Sequence, residues 1–281
     1  MKPNEKLIKD VRFKLSPLKN EQKVIGWNCT ALVKDDYHLG TGTSSDKEMA
    51  SKIASSEYLE RKFIDICQYD ERLKSKFEIY SHPGSNGFAL GYEPLSTNLR
   101  SICEALEGWA WSKWIDDKYA IDKIEMPVKF NELSRYFLSH FDRSDFYRKD
   151  FEVELENTKL SLQIGIVTSF KDTGVFVGTR VASIGENIWE HALMEAWRCL
   201  IISENQELNK GHDIVHDRII FFSQNADCAK NQIRQATQVN WPQPKIKKNV
   251  QEIFDGGFYL SRTILNDYKN WYQGPIDRFV Y

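Results

Sequence analysis

Long apolar runs, paired cysteines and low-complexity tracts are all lacking from this sequence of 281 residues. No run approaches the roughly 20 apolar residues of a membrane-spanning helix, and the polar stretch from Met1 to Lys9 predicts no secretory signal. The cysteines are widely spaced, which argues against a disulfide framework or a zinc ribbon. They are Cys29, Cys67, Cys103, Cys199 and Cys228. These absences predict a cytoplasmic globular protein with no membrane partner.

An excess of either charge sign is also lacking, because 38 basic residues nearly balance 40 acidic residues and leave a formal charge of −2. This balance argues against a strongly basic nucleic-acid-binding protein. With 13% aromatic residues and only 8 prolines, the chain can bury a large core. No sharp boundary is visible, so we expect an N-terminal arm over 1–21 and one domain over 22–281.

A strand, a glycine-containing turn and a helix with acidic residues follow one another three times along the chain. The predicted helices of this layout run from about Lys47 to Cys67, from Thr97 to Asp116 and from Glu186 to Ile202. Strands are predicted as a pair within Val24–Leu39 and at Phe77–Tyr80, Leu160–Val167, Gly174–Ala182 and Ile219–Phe222, with a last helix at Val250–Trp271. The alternation predicts an α/β (α+β) fold with mixed or antiparallel sheets.

Charged residues fall on partly apolar faces of all three helices. They are Glu57, Glu60 and Arg61 on the first helix, Glu104 and Glu107 on the second, and His191, Glu195 and Arg198 on the third. Because burying an unpaired carboxylate is costly, each acid needs a cation or a hydrogen-bond network. One interpretation is internal pairing, as of Glu57 with Arg61. The other is a hard divalent cation, since two carboxylates at i,i+3 can share Mg²⁺, which in turn binds nucleotide phosphates.

The segment Gly40-Thr41-Gly42-Thr43-Ser44-Ser45 precedes the first helix and is predicted to be a turn. Its small residues would leave backbone amides accessible at a helix N-terminus, where the helix dipole favours anions. The segment has neither the Gly-Lys-Ser/Thr of a phosphate loop nor the Gly-x-Gly-x-x-Gly of a dinucleotide fingerprint. Its spacing alone therefore leaves two alternatives, an anion-binding turn and an ordinary glycine turn.

Three segments together resemble the YcaO family, whose members use ATP to modify peptide backbones. The first runs from Gly40-Thr-Gly42 to Glu57-x-x-Glu60-Arg61, the second from Ser85-Asn86-Gly87-x-Ala89-x-Gly91 to Glu104-x-x-Glu107, and the third is Ala192-Leu-x-Glu195-Ala-x-Arg198. Their order and spacing extend the resemblance over about residues 22–225. The sequence departs from the family pattern at three positions. Gly108 stands where many members have Arg, Arg198 where most have Gln, and Thr41 where many have Lys.

The resemblance implies a cyclodehydratase-like enzyme that uses ATP and Mg²⁺, with its acidic helices converging on one nucleotide cavity. Members phosphorylate a peptide amide oxygen, a nucleophile attacks the carbonyl carbon, and loss of phosphate leaves an azoline, a thioamide or an amidine. Implied metal ligands are Glu57, Glu60 and Glu195. Implied nucleotide-binding residues are Arg61, Ser85, Asn86, Glu104, Glu107, His191 and Arg198. The expected partners are a peptide substrate and a protein that delivers it, and a homo-oligomer is left open.

Two other functions compete with this one. A YcaO-like scaffold or substrate-presenting subunit without catalysis would account for the departures at Gly108 and Arg198. An RNA-binding module over 24–65 would use a strand–strand–turn–helix order like that of double-stranded RNA-binding domains. Its lysines Lys47 and Lys52 are diluted by acids on the same helix, and the module would explain only about a quarter of the chain.

Overall fold

The computed structural model describes residues 11–81, 84–127, 129–155, 158–205, 214–254 and 257–279. Their helices and strands follow in the order β1 (Val11–Asn20), β2 (Lys23–Val33), β3 (Leu39–Ser44), α1 (Lys47–Tyr69), α2 (Glu71–Lys76), β4 (Phe88–Gly91), α3 (Pro94–Ile115), β5 (Asp122–Ile124), α4 (Glu132–Leu138), β6 (Arg143–Leu155), β7 (Thr158–Lys171), β8 (Gly174–Ser183), α5 (Trp189–Glu204), α6 (Ile214–Phe222), α7 (Ala226–Arg234), β9 (Ile246–Phe254) and β10 (Phe258–Leu265). The α+β class predicted from the sequence is confirmed.

The chain folds into two compact units. Unit 1 takes its described residues from Met1–Glu104 and Lys248–Ile264, and unit 2 takes them from Ala105–Lys247 and Leu265–Tyr281. Helix α3 begins in unit 1 and ends in unit 2, so Glu104 belongs to the first and Glu107 to the second.

Unit 1 contains two sheets and the long helix α1. Strands β1, β2 and β3 form an antiparallel sheet in that order, and β4, β10 and β9 form the other sheet. The Asp46 side chain caps α1 by accepting a hydrogen bond from the Met49 amide. A core of buried side chains that includes Tyr58, Phe63 and Phe88 fixes the helix in place.

Unit 2 is built on one antiparallel sheet with the order β5, β6, β7 and β8. Along β7, Leu162, Ile164 and Ile166 are almost fully buried, and helix α5 packs on this sheet, with Ala196 in a buried cluster with Phe176 of β8. This is the third strand–helix unit of the sequence layout, and its strands and helix are confirmed.

Several sequence-based assignments were wrong. Phe77–Tyr80 is a turn rather than a strand, and Ile219–Phe222 ends helix α6. In place of the predicted helix Val250–Trp271, the structure has the second half of β9 followed by β10. A short apolar run does not distinguish strand from helix by periodicity, because burial rather than a two-sided pattern selects its residues. Strand β6 was not predicted at all.

The glycine segment before α1 is strand β3 rather than the predicted turn. A Cβ atom on Gly40 would lie 2.0 Å from the Ala54 carbonyl oxygen, and one on Gly42 would lie 2.1 Å from that of Ala50. The glycines therefore let α1 pack with its backbone directly against the strand. Their role is close packing, and the predicted anion-binding turn is not formed here.

Candidate functional site

Four of the candidate acids, Glu57, Glu60, Glu107 and Glu195, share one structural feature, since each accepts a hydrogen bond from the backbone of a strand that ends its sheet. Strands β3 and β4 occupy such positions in unit 1, and β8 does so in unit 2. The outward N–H groups of an edge strand need acceptors other than a neighbouring strand. Carboxylates from the packed helices supply these acceptors, which fixes where their side chains lie.

Glu57 on α1 has a partner on each carboxylate oxygen. Its Oε2 accepts hydrogen bonds from the Thr41 amide at 2.7 Å and the Thr41 hydroxyl at 2.8 Å, while Oε1 accepts one from Arg61 at 2.6 Å. The internal pair of Glu57 with Arg61, one of the two sequence-based interpretations, is therefore present. The Arg61 guanidinium remains half exposed and can still contact a bound anion.

Glu60, one turn further along α1, is much less compensated. Its Oε2 accepts a hydrogen bond from the Leu90 amide of β4 at 3.1 Å and lies 3.8 Å from Arg100. The side chain is only 21% exposed. Burial, and after it the nearby charge of Glu104, raises the pKa of Glu60 to about 8. A cation bound beside this carboxyl group would stabilise its ionised form and lower its pKa.

The second helix is tied to the turn that precedes β4. The Asn86 side-chain amide donates to the Glu104 backbone carbonyl at 3.1 Å, and Arg100 donates to the Leu90 carbonyl at 3.0 Å. Asn86 therefore helps to place the Glu104 turn of α3, whereas Ser85 is exposed to solvent. In unit 1 the structure thus brings Glu60 and Glu104 together, with Asn86 behind them.

Glu107 lies at the start of the unit 2 part of α3 and is only 6% exposed. It reaches strand β8, where Oε1 accepts a hydrogen bond from the Val181 amide at 2.6 Å and Oε2 accepts one from the Thr179 hydroxyl at 3.3 Å. These donors compensate a nearly buried carboxylate, which would otherwise be strongly unfavourable.

Glu195 on α5 also binds strand β8. Its Oε2 accepts a hydrogen bond from the Thr179 amide at 3.0 Å, and its Oε1 lies 3.0 Å from His191 Nε2. Burial acts to raise the pKa of Glu195, but His191, the Thr179 amide and Arg198 outweigh it and lower the pKa. The lowered pKa favours the ionised form of Glu195, unlike that of Glu60. Thr179 is the residue that joins Glu195 to Glu107.

No protein-family model and no curated protein matches the sequence. The structure of YcaO from Methanopyrus kandleri, bound with AMPPCP and Mg²⁺, matches 95% of this chain and 89% of that one at 10% identity and a TM-score of 0.56. The E. coli microcin synthetase McbBCD complex with pro-MccB17 bound matches over 91% and 88% at 9% identity and 0.59. A heterocyclase in complex with substrate and cofactor matches 96% of this chain, but only 53% of its own, at 9% identity and 0.55.

The chain has a YcaO fold. At identities of 9–10% this likeness concerns the fold and does not transfer a function. It confirms the family resemblance drawn from three short segments and extends it over more than nine tenths of the chain. That the acids of all three helices serve one nucleotide cavity stays a prediction.

On this YcaO fold, the residues that sequence reasoning missed are the hydrogen-bond donors. Leu90 and Val181 act through backbone amides, which no residue type reveals, while Thr41 and Thr179 each follow a glycine on an edge strand. A Gly-Thr pair sixteen residues before a helical glutamate is the one signal in the sequence for this contact.

A magnesium ion needs hard oxygen donors, and the acids of the described residues can supply them. Within these residues, no group of three His, Cys, Asp or Glu side chains is arranged to hold a metal ion alone. Mg²⁺ in nucleotide sites commonly takes one or two carboxylates and completes its shell with phosphate oxygens and water. Glu60 beside Glu104 supplies hard oxygen ligands at a place where burial and a second acid disfavour the ionised form of Glu60, so this pair fits such an ion.

Among the helices of the described residues, none combines the length and the apolar character that crossing a bilayer requires.

Proposed function

We propose that this protein binds ATP with Mg²⁺ and activates a peptide backbone amide by O-phosphorylation. Attack of a nucleophile on the activated carbonyl carbon and loss of phosphate would then give an azoline, a thioamide or an amidine. Mg²⁺ would neutralise phosphate charge during this transfer. The fold supports the proposal, because its structural neighbours include a YcaO bound with AMPPCP and Mg²⁺ and a heterocyclase with substrate and cofactor.

The observation that carries the proposal is the largely buried carboxyl of Glu60, whose direct hydrogen bond comes from the Leu90 amide and whose pKa is raised. Its carboxyl is largely buried next to Glu104, and the nearest guanidinium, that of Arg100, stays 3.8 Å away. A structural acid on a helix is normally placed where its charge is compensated, as Glu57 is by Thr41 and Arg61. Ionised Glu60 therefore destabilises the folded protein, and a bound cation would offset this effect. Such a destabilising group is typical of functional sites.

The other residues divide into metal-directed and phosphate-directed groups in this proposal. Glu57 and Glu195 would join Glu60 as metal ligands, directly or through water, with Glu104 and Glu107 as supporting acids. Arg61 and Arg198 would contact phosphate oxygens, for which a guanidinium is suited because it can donate two parallel hydrogen bonds. His191 would keep Glu195 oriented, and Ser85 and Asn86 would position nucleotide or substrate.

A protein that delivers the peptide belongs to the same proposal. The matched microcin synthetase is a complex of several proteins that was solved with pro-MccB17 bound. We propose by analogy that a peptide reaches this chain with the help of a partner. Co-expression with a candidate peptide and partner tests the chemistry through the peptide's mass. Loss of one water would indicate cyclodehydration, and exchange of oxygen for sulfur would indicate thioamide formation.

A non-catalytic scaffold is the second candidate, and one observation favours it. Glu195 is paired with His191 and has Arg198 as a charged neighbour, so the protein itself satisfies an acid that the resemblance assigns to metal. A scaffold would fold identically but would show no ATP turnover with any partner or peptide.

The RNA-binding alternative receives less support from the structure. The lysines that it requires are engaged within the protein, because Lys52 pairs with Glu48 at 2.8 Å and Lys47 lies over the Trp27 ring. The strand–strand–helix order of 24–65 is also part of a fold that matches structural neighbours over more than nine tenths of the chain. Salt-sensitive binding of duplex RNA would revive this alternative.

Ligand-induced thermal stabilisation tests nucleotide binding directly. ATP with Mg²⁺ should raise the melting temperature, because a ligand that binds only the folded state stabilises it by mass action. Glu60→Gln should abolish most of this rise, and Glu57→Gln should do the same. Glu48→Gln is the matched control, since Glu48 lies on the same helix but pairs with Lys52 at the surface. An unchanged ATP effect in Glu60→Gln would rule out the assignment of Glu60 to the metal.

A further inference from the structure

The same strand–helix arrangement occurs once in each unit. In unit 1, Gly40 and Thr41 lie on edge strand β3, and Glu57 on α1 accepts a hydrogen bond from the Thr41 amide. In unit 2, the Thr179 amide of edge strand β8 donates to Glu195 on α5. In both cases sixteen residues separate the threonine from the acid.

The packing around the glycines is repeated as well. A Cβ atom on Gly40 would lie 2.0 Å from the carbonyl oxygen of Ala54, and one on Gly178 would lie 1.9 Å from that of Ala192. Each alanine precedes the acid of its helix by three residues. The glycine thus brings one helix turn against the strand, and the following threonine meets the carboxylate on that turn. A strand–helix contact repeated in such detail indicates a functional role in addition to packing.

We propose that Thr41 and Thr179 are positioning residues, which hold the carboxylates of the nucleotide site in the orientation needed for Mg²⁺-ATP. This inference rests on the proposed function. Each threonine occupies an oxygen of its acid from the strand side and leaves remaining lone pairs for another ligand. A carboxylate that is held before binding loses less conformational freedom when the ligand arrives.

Thr179 carries the larger share of this role, because it contacts two acids from two helices. Its amide donates to Glu195 on α5, and its hydroxyl donates to Glu107 on α3. The side chain is 3% exposed, so the hydroxyl has no bulk solvent to replace these contacts. Thr41 instead directs both its amide and its hydroxyl to Glu57 alone.

Valine and serine substitutions separate the hydroxyl from the rest of the side chain. Thr179→Val keeps the shape and the backbone amide but removes the hydroxyl donor to Glu107, while Thr179→Ser retains that donor. Thr43→Val is the control, because Thr43 lies on β3 two residues from Thr41 and donates its hydroxyl to Asn28 instead of an acid. Thr41→Val and Thr41→Ser form a second pair that does not depend on unit 2 folding.

The measurement is calorimetric titration of each full-length variant with Mg²⁺-ATP, together with its melting temperature without ligand. We expect Thr179→Val to weaken binding about tenfold, Thr179→Ser to bind within about threefold of the unmodified protein, and Thr43→Val to bind unchanged. Thr41→Val should weaken binding in the same direction. A threonine with a merely structural role would lower the melting temperature and leave the affinity unchanged.

The outcomes separate this inference from the proposed function. If the unmodified protein binds Mg²⁺-ATP and Glu60→Gln does not, the proposed function stands. Equal affinity of the unmodified protein, Thr179→Val and Thr41→Val would then overturn the positioning role alone. Absence of Mg²⁺-ATP binding by the unmodified protein would overturn both proposals.

Discussion

Glu60 and Glu57 lie one helix turn apart, yet we expect their replacement by glutamine to change stability in opposite directions. The pKa of Glu60 is raised from 4.5 to about 8, so the folded state binds more protons than the unfolded state between these values. Stability from this group is complete below about pH 4.5 and is lost as the pH rises through 8. Glutamine keeps an oxygen for the Leu90 amide and removes the charge, and it therefore removes this pH dependence.

The size of the effect follows from the same numbers. Each unit of pKa corresponds to about 1.4 kcal/mol, so the rise from 4.5 to about 8 destabilises the folded state by roughly 4 kcal/mol at pH 8 before correction for partial exposure. Because the side chain is 21% exposed, we expect a net gain of about 1–3 kcal/mol for Glu60→Gln at pH 8. That gain corresponds to a rise of roughly 2–5 °C in melting temperature. Glu57→Gln should instead lose about 1–2 kcal/mol, since it weakens the contacts with Thr41 and Arg61.

The assay is thermal unfolding of the unmodified protein and both variants at pH 5 and pH 8 without nucleotide. Differences between each variant and the unmodified protein cancel the titration of all other groups. The Glu60→Gln difference should be small at pH 5 and stabilising at pH 8, whereas the Glu57→Gln difference should be destabilising at both. Addition of Mg²⁺-ATP should raise the melting temperature of the unmodified protein more than that of Glu60→Gln. A Glu60→Gln variant that is less stable at pH 8 would refute the reasoning.

Three further perturbations test other contacts. Gly40→Ala should lower the free energy of unfolding by more than about 3 kcal/mol, because its Cβ would overlap the Ala54 carbonyl. Gly185→Ala should lower it by about 1 kcal/mol, since only the positive φ opposes the change. Chemical denaturation measures both. Arg218→Met should lower the free energy of unfolding by about 3–5 kcal/mol, because the fully buried guanidinium donates to backbone carbonyls at 271 and 273–275. Arg198→Gln should weaken ATP binding by about 1–3 kcal/mol if Arg198 contacts phosphate; tighter calorimetric binding would show that it blocks the metal instead.

The sequence predicted the elements whose signals are local. Helix α1 was placed within two residues of its end because Asp46 caps it and its apolar positions recur at helical spacing. The acids were identified because charges on an apolar face are unusual. Strand β10 was missed because it is buried along most of its length and so lacks a two-sided pattern, and β9, which has no fully buried residue, gave no local strand signal either.

The orientation of the acids could not be predicted for a related reason. Whether a backbone amide points outward from an edge strand depends on the register of the whole sheet, and register is set by non-local pairing. Thr41 is paired with Thr30 across β2 and β3, and Thr179 with Ile166 across β7 and β8. Only with these registers known does it follow that both amides are available to the glutamates.

The repeated strand–helix contact also shows where the two units differ chemically. Glu57 and Glu195 are the acids that the threonine amides contact. One turn beyond this acid, α1 carries Glu60, whereas α5 carries Arg198. On α1 the added group is the Glu60 carboxyl, whose own pKa is raised. On α5 it is the Arg198 guanidinium, which helps to lower the pKa of Glu195. The same threonine–glutamate contact is therefore combined with a second acid on α1 and with a guanidinium on α5. A pair of acids suits a cation, whereas an acid with a guanidinium suits a phosphate. In the proposed function, the residue one turn after this acid would therefore add a metal ligand on α1, as Glu60, and a phosphate contact on α5, as Arg198.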